Sequence, residues 1–332
     1  MANPIRIVQV GLGPLGQMLT PYLAERSNLQ IVGAVDVAPE MAGRDLGDLC
    51  GLGRPLGVCV TGNLDAVQDN SADVAVITTV SEFLVLNPLL EQVVQKRLNV
   101  VSTCEELSYP WQTHPDLSKA MDALAKKQGV SVLATGVNPG FLMDFLPTAA
   151  TAVCREVHKI RIERIQDATF RRIPFQQKIG AGLSIEAFEQ KVSSRKLRHV
   201  GLTESMHMIA ARLGWTLDRT EDIIEPVLAQ TELSAGVGAI RPGMATGVSQ
   251  IGRGYIDGKA ALTLVFRATI GEQQPRDRIL IEGTPELTLT IPGGVNGDIA
   301  TCSIVVNAIP SVVDAPPGLH TMVDIPPIVC GN

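Results

Sequence analysis

Two adjacent carboxylates, Glu105 and Glu106, directly follow the β-branched run Asn99-Val-Val-Ser-Thr103. A buried strand that ends in a carboxylate puts that group at the edge where parallel sheets bind ligands. A carboxylate there can hold an ammonium, or take a proton from it, once burial lifts its pKa toward working pH. Neighbouring side chains point in different directions, so one of the two is expected to face a ligand. Spacing alone equally allows a solvated surface pair. Cys104 before the pair, and Leu107, Tyr109 and Trp111 after it, make the loop more apolar than an ordinary surface loop.

A second constellation opens the chain. Gly11-Leu12-Gly13-Pro14-Leu15-Gly16 stands between the run Ile5 to Val10 and a helical pattern from Leu15 to Arg26. The first glycine permits a tight turn, the second lets backbone approach a pyrophosphate, and the third lets helix and strand pack closely. The helix start adds N–H donors and the positive end of its dipole. Asp36, at the end of the next strand, can accept from both adenosine ribose hydroxyls and would repel a 2′-phosphate, which favours NAD. Arg44 close behind could offset that repulsion, so NADP stays open. Thr78 and Thr79 after a later strand, and Thr103 after the following one, stand at the same edge as cofactor contacts, with Ser81 a helix cap. In Gly136-Val-Asn-Pro-Gly-Phe141 the side chain of Asn138 could bond the nicotinamide carboxamide or a ribose. Gly140 would let the chain pass close to the ring, and Phe141 and Leu142 would wall a pocket. The plainer reading of that stretch is a turn and a helix start.

These groups need a scaffold to hold them. Short buried runs at Ile5 to Val10, Ile31 to Val35, Val58 to Thr61, Ala72 to Thr79, Asn99 to Thr103 and Val130 to Ala134 alternate with helical patterns, among them one through Pro88 to Arg97 and one from His114 to Gln128. That alternation predicts a right-handed, doubly wound parallel sheet, a Rossmann α/β architecture. Pro21 inside the first helical pattern predicts a kink or a late start. The second half changes to long alternating stretches: Lys159 to Ile165, Ile223 to Thr231, Thr246 to Tyr255, Ala260 to Ile270 and Arg278 to Thr290. Asp257-Gly258 is a hairpin signal between two of them. Helices are expected near Ser184 to Val192 and Thr203 to Leu213. The second domain is therefore expected to be α+β with a mostly antiparallel sheet. The expected division is 1–137 for dinucleotide binding, 138–300 for substrate binding and dimerisation, and 301–332 returning to the first domain. A last helix, Ile299 to Ala308, and a Pro-rich tail make that return.

Composition excludes several classes. Of 332 residues 45% are hydrophobic and 19% charged, which excludes disorder. Aromatics are scarce at 4% and the net charge is −6, so no basic field or aromatic platform recruits nucleic acid or anionic membrane. Six cysteines occur without CxxC or zinc-ligand spacing, so neither a disulfide framework nor a metal site is expected. No signal-peptide pattern and no run of 18 uninterrupted apolar residues occurs. A cytoplasmic protein is the expectation.

The stretches VGLGPLG, GRDLGDLCGLGRPLGV, VVSTCEELSYPW, GVNPGF, ESMHMIAARLGW, IEGTPELTLTIPGG and NAIPSVVDAPPGLHTM span nearly the whole chain. On them the chain resembles the dihydrodipicolinate-reductase-like proteins that include 2,4-diaminopentanoate dehydrogenase and the native NAD(P)-dependent amine dehydrogenases. The resemblance implies a Rossmann domain, an α+β domain whose sheet helps form a homodimer, and NAD or NADP as cofactor. It implies oxidative deamination of a primary amine to a ketone or aldehyde plus ammonia, and the reverse reductive amination. It implies Glu105 as the residue that engages the substrate amine, with Glu106 in reserve, and a pocket wall of Phe141, Leu142 and Phe170. His207 stands at a place open to a pocket, an interface or a structural role. Between Ile165 and Lys178 the chain lacks the paired histidines and the SGT loop of true dihydrodipicolinate reductases, which argues against that reaction. A 2,4-diaminopentanoate dehydrogenase proper would need a further polar anchor, for which Arg171, Arg172 and Gln176 are the candidates. A different class is a non-catalytic dinucleotide sensor, which would bind cofactor without turnover.

Overall fold

The computed structural model describes residues 3–68 and 71–331. The chain divides into two compact units, Met1–Phe141 with Asn296–Asn332, and Leu142–Val295. In chain order the first stretch forms β1 (Ile5–Val10), α1 (Pro14–Ala24), β2 (Leu29–Val35), α2 (Leu46–Leu49), β3 (Val60–Thr61), β4 (Val74–Ile77), α3 (Phe83–Gln95), β5 (Asn99–Ser102), α4 (Pro115–Gln128) and β6 (Ser131–Ala134). The second unit holds α5 (Phe145–Ala150), β7 (Glu156–Asp167), α6 (Ile173–Lys178), α7 (Ile185–Ser193), α8 (Leu202–Leu213), β8 (Arg219–Leu228), β9 (Leu233–Ala235), β10 (Gly238–Ile240), β11 (Ala245–Ile256), β12 (Lys259–Thr269), β13 (Arg276–Thr284) and β14 (Leu287–Pro292). The chain then returns to the first unit as α9 (Gly297–Asp314) and β15 (Gly318–His320).

The first unit is a Rossmann-type fold. Its seven strands run in the order β15-β6-β5-β4-β1-β2-β3, all parallel. The order reverses at β1, which pairs with β2 on one side and β4 on the other. Ligands of open α/β sheets sit at such a switch point, beyond the carboxyl ends of the strands. Helices α3 and α4 pack on each other, and α1 packs on α9. Every residue of β4 is buried, as expected of a strand covered on both faces. Of the kink or late start expected at Pro21, the late start does not occur: α1 begins at Pro14 and runs through Pro21. Proline is suited to the first helical position, because its φ is preset and its missing N–H is not needed there. By length and composition α9 passes for a membrane span, with a mean hydropathy of 1.2. Cys302, Val305, Val306, Ala308, Ile309 and Val312, a third of its residues, are buried within the first unit.

The second unit is built on a six-stranded sheet, order β14-β13-β7-β12-β11-β8. All its pairings are antiparallel except β7 with β12. Between β11 and β12, Asp257 (φ +50°) and Gly258 (φ +72°) form the expected two-residue turn. The stretch Arg278 to Thr290, expected as one strand, is a hairpin of β13 and β14 with Ile281 opposite Leu287. The chain reverses at Pro285, which has no N–H to add to a ladder. The α5 and α6 helices and the β9–β10 hairpin were not expected.

Candidate active site

At the carboxyl end of β1 the glycine loop is held from inside. Gly11 takes φ +91°, and a Cβ there would lie 2.6 Å from the Thr78 carbonyl oxygen. A Cβ on Gly16 would overlap the Gly11 carbonyl. The Thr78 hydroxyl donates to that same carbonyl at 2.7 Å, and the buried Gln9 amide donates to the Gly16 carbonyl at 2.7 Å. Thr20 donates to Gln9 at 3.0 Å. Gly13 differs: a Cβ there meets nothing within 4 Å. Two glycines are required by the protein itself, and the middle one keeps clear a space that no protein atom uses. Gly13 is also the N-cap of α1, and no side chain caps that end. This arrangement fits a dinucleotide phosphate group.

The Asp36 carboxylate accepts from the Leu12 N–H at 2.5 Å and from the Ala38 N–H at 2.8 Å, so it fixes the loop at the point where a ribose contact is expected. Arg44 is exposed in the segment after β2, and Thr79 is exposed beside Gly11. The Thr103 N–H donates to the Ile77 carbonyl at 3.0 Å. Thr78, expected to meet the ribose or phosphate, uses its hydroxyl to brace the glycine loop. Gln9 was missed by sequence reading, although a glutamine in an apolar strand just before the glycines was a signal.

The loop after β5 is pinned more tightly still. The Cys104 thiol and the Glu106 N–H both donate to the Ser81 carbonyl, at 3.2 and 3.1 Å. The Cys104 N–H donates to Ser102 Oγ at 3.1 Å, and Ser108 Oγ donates to the Glu105 carbonyl at 2.7 Å. Burial pushes the Cys104 thiol well above its ordinary range, so it is no nucleophile. The two glutamates part company here. Glu106 Oε2 accepts the Phe83 N–H at 2.9 Å and lies 3.2 Å from His114 Nε2. Its side chain is 14% exposed, which removes the solvated reading for Glu106. Glu105 opens the 3₁₀ turn Glu106–Ser108 and is half-buried. Tyr109 is half-buried, and its phenol is pushed up first by burial and then by the Asp324 charge.

After β6, Gly140 takes φ +123°, and a Cβ there would lie 2.6 to 2.7 Å from Gly136 and Thr135 Oγ1. The glycine is thus required by a loop folding back on itself. Asn138 is half-buried in that loop, and Phe141, also half-buried, closes the first unit.

In the second unit Leu142 is buried at 3% exposure and lines a cavity of about 160 Å³ with Met143, Leu146, Ile162, Ile279 and Leu289. The buried pair Arg164–Asp277, 3.1 Å apart, forms part of its wall. Phe170 is 94% exposed, so it walls no pocket here. Its turn follows β7, and the buried Gln176 ties that turn down from beneath. Gln176 donates to the carbonyls of Ala168, Thr169 and Arg171 and accepts from the Val237 N–H. This amide is a buried brace whose N–H groups are all committed to the turn. The Arg171 guanidinium lies 4.2 Å from the centre of the Phe175 ring, and Arg172 is exposed at the start of α6. His207 is half-buried on α8, and burial lowers its pKa, which keeps it neutral at pH 7. Among the described residues no three His, Cys, Asp or Glu stand together as a metal site.

Residues 141–330 match the 2,4-diaminopentanoate dehydrogenase C-terminal domain, and residues 5–105 match the N-terminus of dihydrodipicolinate reductase. The chain belongs to the 2,4-diaminopentanoate dehydrogenase family. It is 32% identical to 2,4-diaminopentanoate dehydrogenase of Acetoanaerobium sticklandii, over 97% of this chain and 93% of that one. It is 23% identical to an amine dehydrogenase of Streptomyces virginiae, over 97% and 96%. The solved structure of an amine dehydrogenase from Mycobacterium smegmatis superposes with a TM-score of 0.86 at 26% identity, over 98% of this chain and 97% of that one. The fold and the family expected from the sequence are both met.

Proposed function

We propose that this oxidoreductase is an NAD(P)-dependent amine dehydrogenase. It converts a primary amine through an imine to a ketone or aldehyde and ammonia, and it runs the reverse reductive amination. The observation that carries this is the division of labour in the glutamate pair. Glu106 holds the start of α3 and lies against His114, while the half-buried Glu105 opens the turn that follows β5, at the ligand edge of the sheet.

A bound nicotinamide dinucleotide supplies the two-electron chemistry. Gly11 to Gly16 and the start of α1 would hold its phosphates, and Asp36 its adenosine ribose, which favours NAD; Arg44 is the residue that would admit NADP. Thr79, Thr103 and Asn138 are the further contacts at that edge. Proton handling falls to Glu105. It accepts a proton from the substrate ammonium, so that the nitrogen lone pair is free as the C–H bond breaks. It releases that proton to solvent, and as a carboxylate again it takes a proton from the water that adds to the C=N bond, returns it to nitrogen, and accepts the carbinol O–H proton as the C–N bond breaks and ammonia leaves. Phe141 would supply apolar surface that excludes water from the iminium.

The 32% identity to a full-length 2,4-diaminopentanoate dehydrogenase supports a second reading, in which the substrate is a diamino acid and Arg171 and Arg172 meet its carboxylate. The protein would work in the cytoplasm, in keeping with six free cysteines. It would work as a homodimer on the sheet face bearing Ile223, Ile251 and Val265, opposite the face on which Met206 meets Gly252. Light scattering that gave the mass of one chain at micromolar concentration would remove the dimer.

The deciding experiment is a panel of ketones offered with ammonia, followed through NADH and NADPH absorbance. Ammonia-dependent oxidation of the cofactor is expected. Dinucleotide binding without turnover across the panel would favour the sensor.

A further inference from the structure

We infer that Glu106 and His114 are positioning residues that set the place of Glu105; this rests on the reading above, in which Glu105 meets the amine. The argument starts at α3. A helix start leaves N–H groups without partners, and a nearby Ser, Thr, Asp or Asn ordinarily takes one up. The N-cap of α3 is Glu82, which makes no side-chain capping bond. The missing cap comes from another segment: Glu106 Oε2 accepts the Phe83 N–H, the first of the helix, at 2.9 Å. The positive end of the helix dipole favours a carboxylate there.

His114 completes the arrangement. Its Nε2 lies 3.2 Å from the same oxygen, and its ring packs edge-on against the Phe83 ring with centroids 5.8 Å apart. His114 is itself the N-cap residue of α4. One carboxylate oxygen thus ties together the starts of α3 and α4 and the turn that carries Glu105. Glu106 is held inward with its N–H on Ser81, and Glu105 beside it takes the helical backbone φ −64° and ψ −42°. A catalytic side chain gains rate from such a fixed base, because a misplacement of about 1 Å costs roughly 100-fold. The rival account is that Glu106 merely caps α3. That account predicts a loss of stability without a selective loss of turnover.

The test uses the full chain with amine and dinucleotide. Wild type and Glu105→Gln are measured first. Glu106→Ala is expected to lower kcat about 10- to 100-fold, while the dinucleotide Kd, read by fluorescence titration, changes less than about twofold. Glu106→Gln keeps the one oxygen that both the Phe83 N–H and His114 reach, and is expected to stay within about threefold of wild type. His114→Ala is expected to lower kcat about three- to tenfold, and the double variant should be no worse than Glu106→Ala, since both act through one arrangement. Unchanged kcat in Glu106→Ala with a lowered Tm would overturn the inference in favour of a plain cap. A Glu106→Gln as inactive as Glu106→Ala would overturn it by making the charge of Glu106 part of the chemistry. If Glu106→Ala does not fold, His114→Ala decides, and an unchanged kcat there sinks the inference. A wild type without amine turnover sinks the functional reading and this inference together, whereas amine turnover that survives Glu106→Ala sinks the inference alone.

Discussion

The loop after β5 and the turn after β7 have much in common. Each leaves the end of a strand inside its sheet, each carries charged and aromatic residues, and each was a candidate to meet substrate. Their supports differ. After β5, the backbone is held by Ser81, Ser102 and Ser108, and one side chain, Glu106, reaches across to a helix start. After β7, a single buried amide, Gln176, holds three carbonyls, and the aromatic ring above it lies in solvent. Both backbones are well tied. In the first loop a carboxylate side chain reaches out to a helix start in a neighbouring element, whereas after β7 the side chains of Asp167 and Thr169 bond within the turn and to Gly271. Loop rigidity and side-chain placement are separate properties, set by different partners.

The largest effect that tests this contrast is at Glu105. Glu105→Gln keeps shape and removes the proton acceptor. It should lower kcat for the amine about 10²- to 10⁴-fold, the usual scale for positioned acid–base help. Dinucleotide affinity should hardly move, since the phosphates lie with Gly11 to Gly16. Initial rates together with a binding titration check both halves, and full activity in this variant would end the amine mechanism built on this loop.

The matching change after β7 is Gln176→Leu. It keeps most of the volume, yet it leaves three carbonyls and the Val237 N–H short of a partner at a residue only 1% exposed. Leaving buried polar groups unpaired costs about 1–3 kcal/mol each when water cannot reach them. Because part of this turn can still be hydrated, we expect a loss of about 2–4 kcal/mol, read from urea unfolding. A change below about 0.5 kcal/mol, the scale of an ordinary surface substitution, would show that the turn does not depend on this amide.

What the sequence made legible follows the range of the interactions. The run from Ile5 through Gly16 to Asp36 is one βαβ unit, and its strand, glycine and acid signals all lie within a short stretch. The long alternating strands of the second unit were legible for the same reason, up to Pro285, where one expected strand proved to be two. The site was legible only where local sequence decides it. Glu105 and Glu106 were recognised as a pair, but their division was not. It depends on Phe83, 23 residues earlier, and on His114, eight residues later. Thr78 and Gly140 were assigned to a ligand because their spacing suits one; that the packing of the loops themselves uses both was not legible. Gln176 was read as an anchor because buried and exposed glutamines look alike in a sequence.

A smaller effect is expected at Asp36. Its carboxylate holds the Leu12 and Ala38 N–H groups, so Asp36→Ala loses a loop brace as well as a ribose acceptor. Hydrogen bonds to a charged group contribute about 1.5–3 kcal/mol, so the KM for NADH should rise by roughly tenfold or more. The KM for NADPH should rise less, because the repulsion of a 2′-phosphate goes with the charge. A wild type that already prefers NADPH strongly would refute this role and turn attention to Arg44.

The smallest effect should come from Phe170, and it bears most directly on the turn after β7. A ring that is 94% exposed has little to lose in water, so Phe170→Ala should leave unfolding free energy within about 0.5 kcal/mol of wild type. Family resemblance makes this residue a pocket wall, which would require the ring to leave solvent when substrate binds. Burying a phenylalanine side chain is worth about 1.5–3 kcal/mol, so a wall lost to alanine would lower kcat/KM more than tenfold for a bulky ketone. We expect a change of about threefold or less, because the Gln176 amide fixes the backbone of the turn and no neighbour holds the ring inward. Kinetics on one small and one bulky ketone separate the cases: a loss confined to the bulky substrate would mean that the turn closes on its ligand, and that its backbone ties permit the motion.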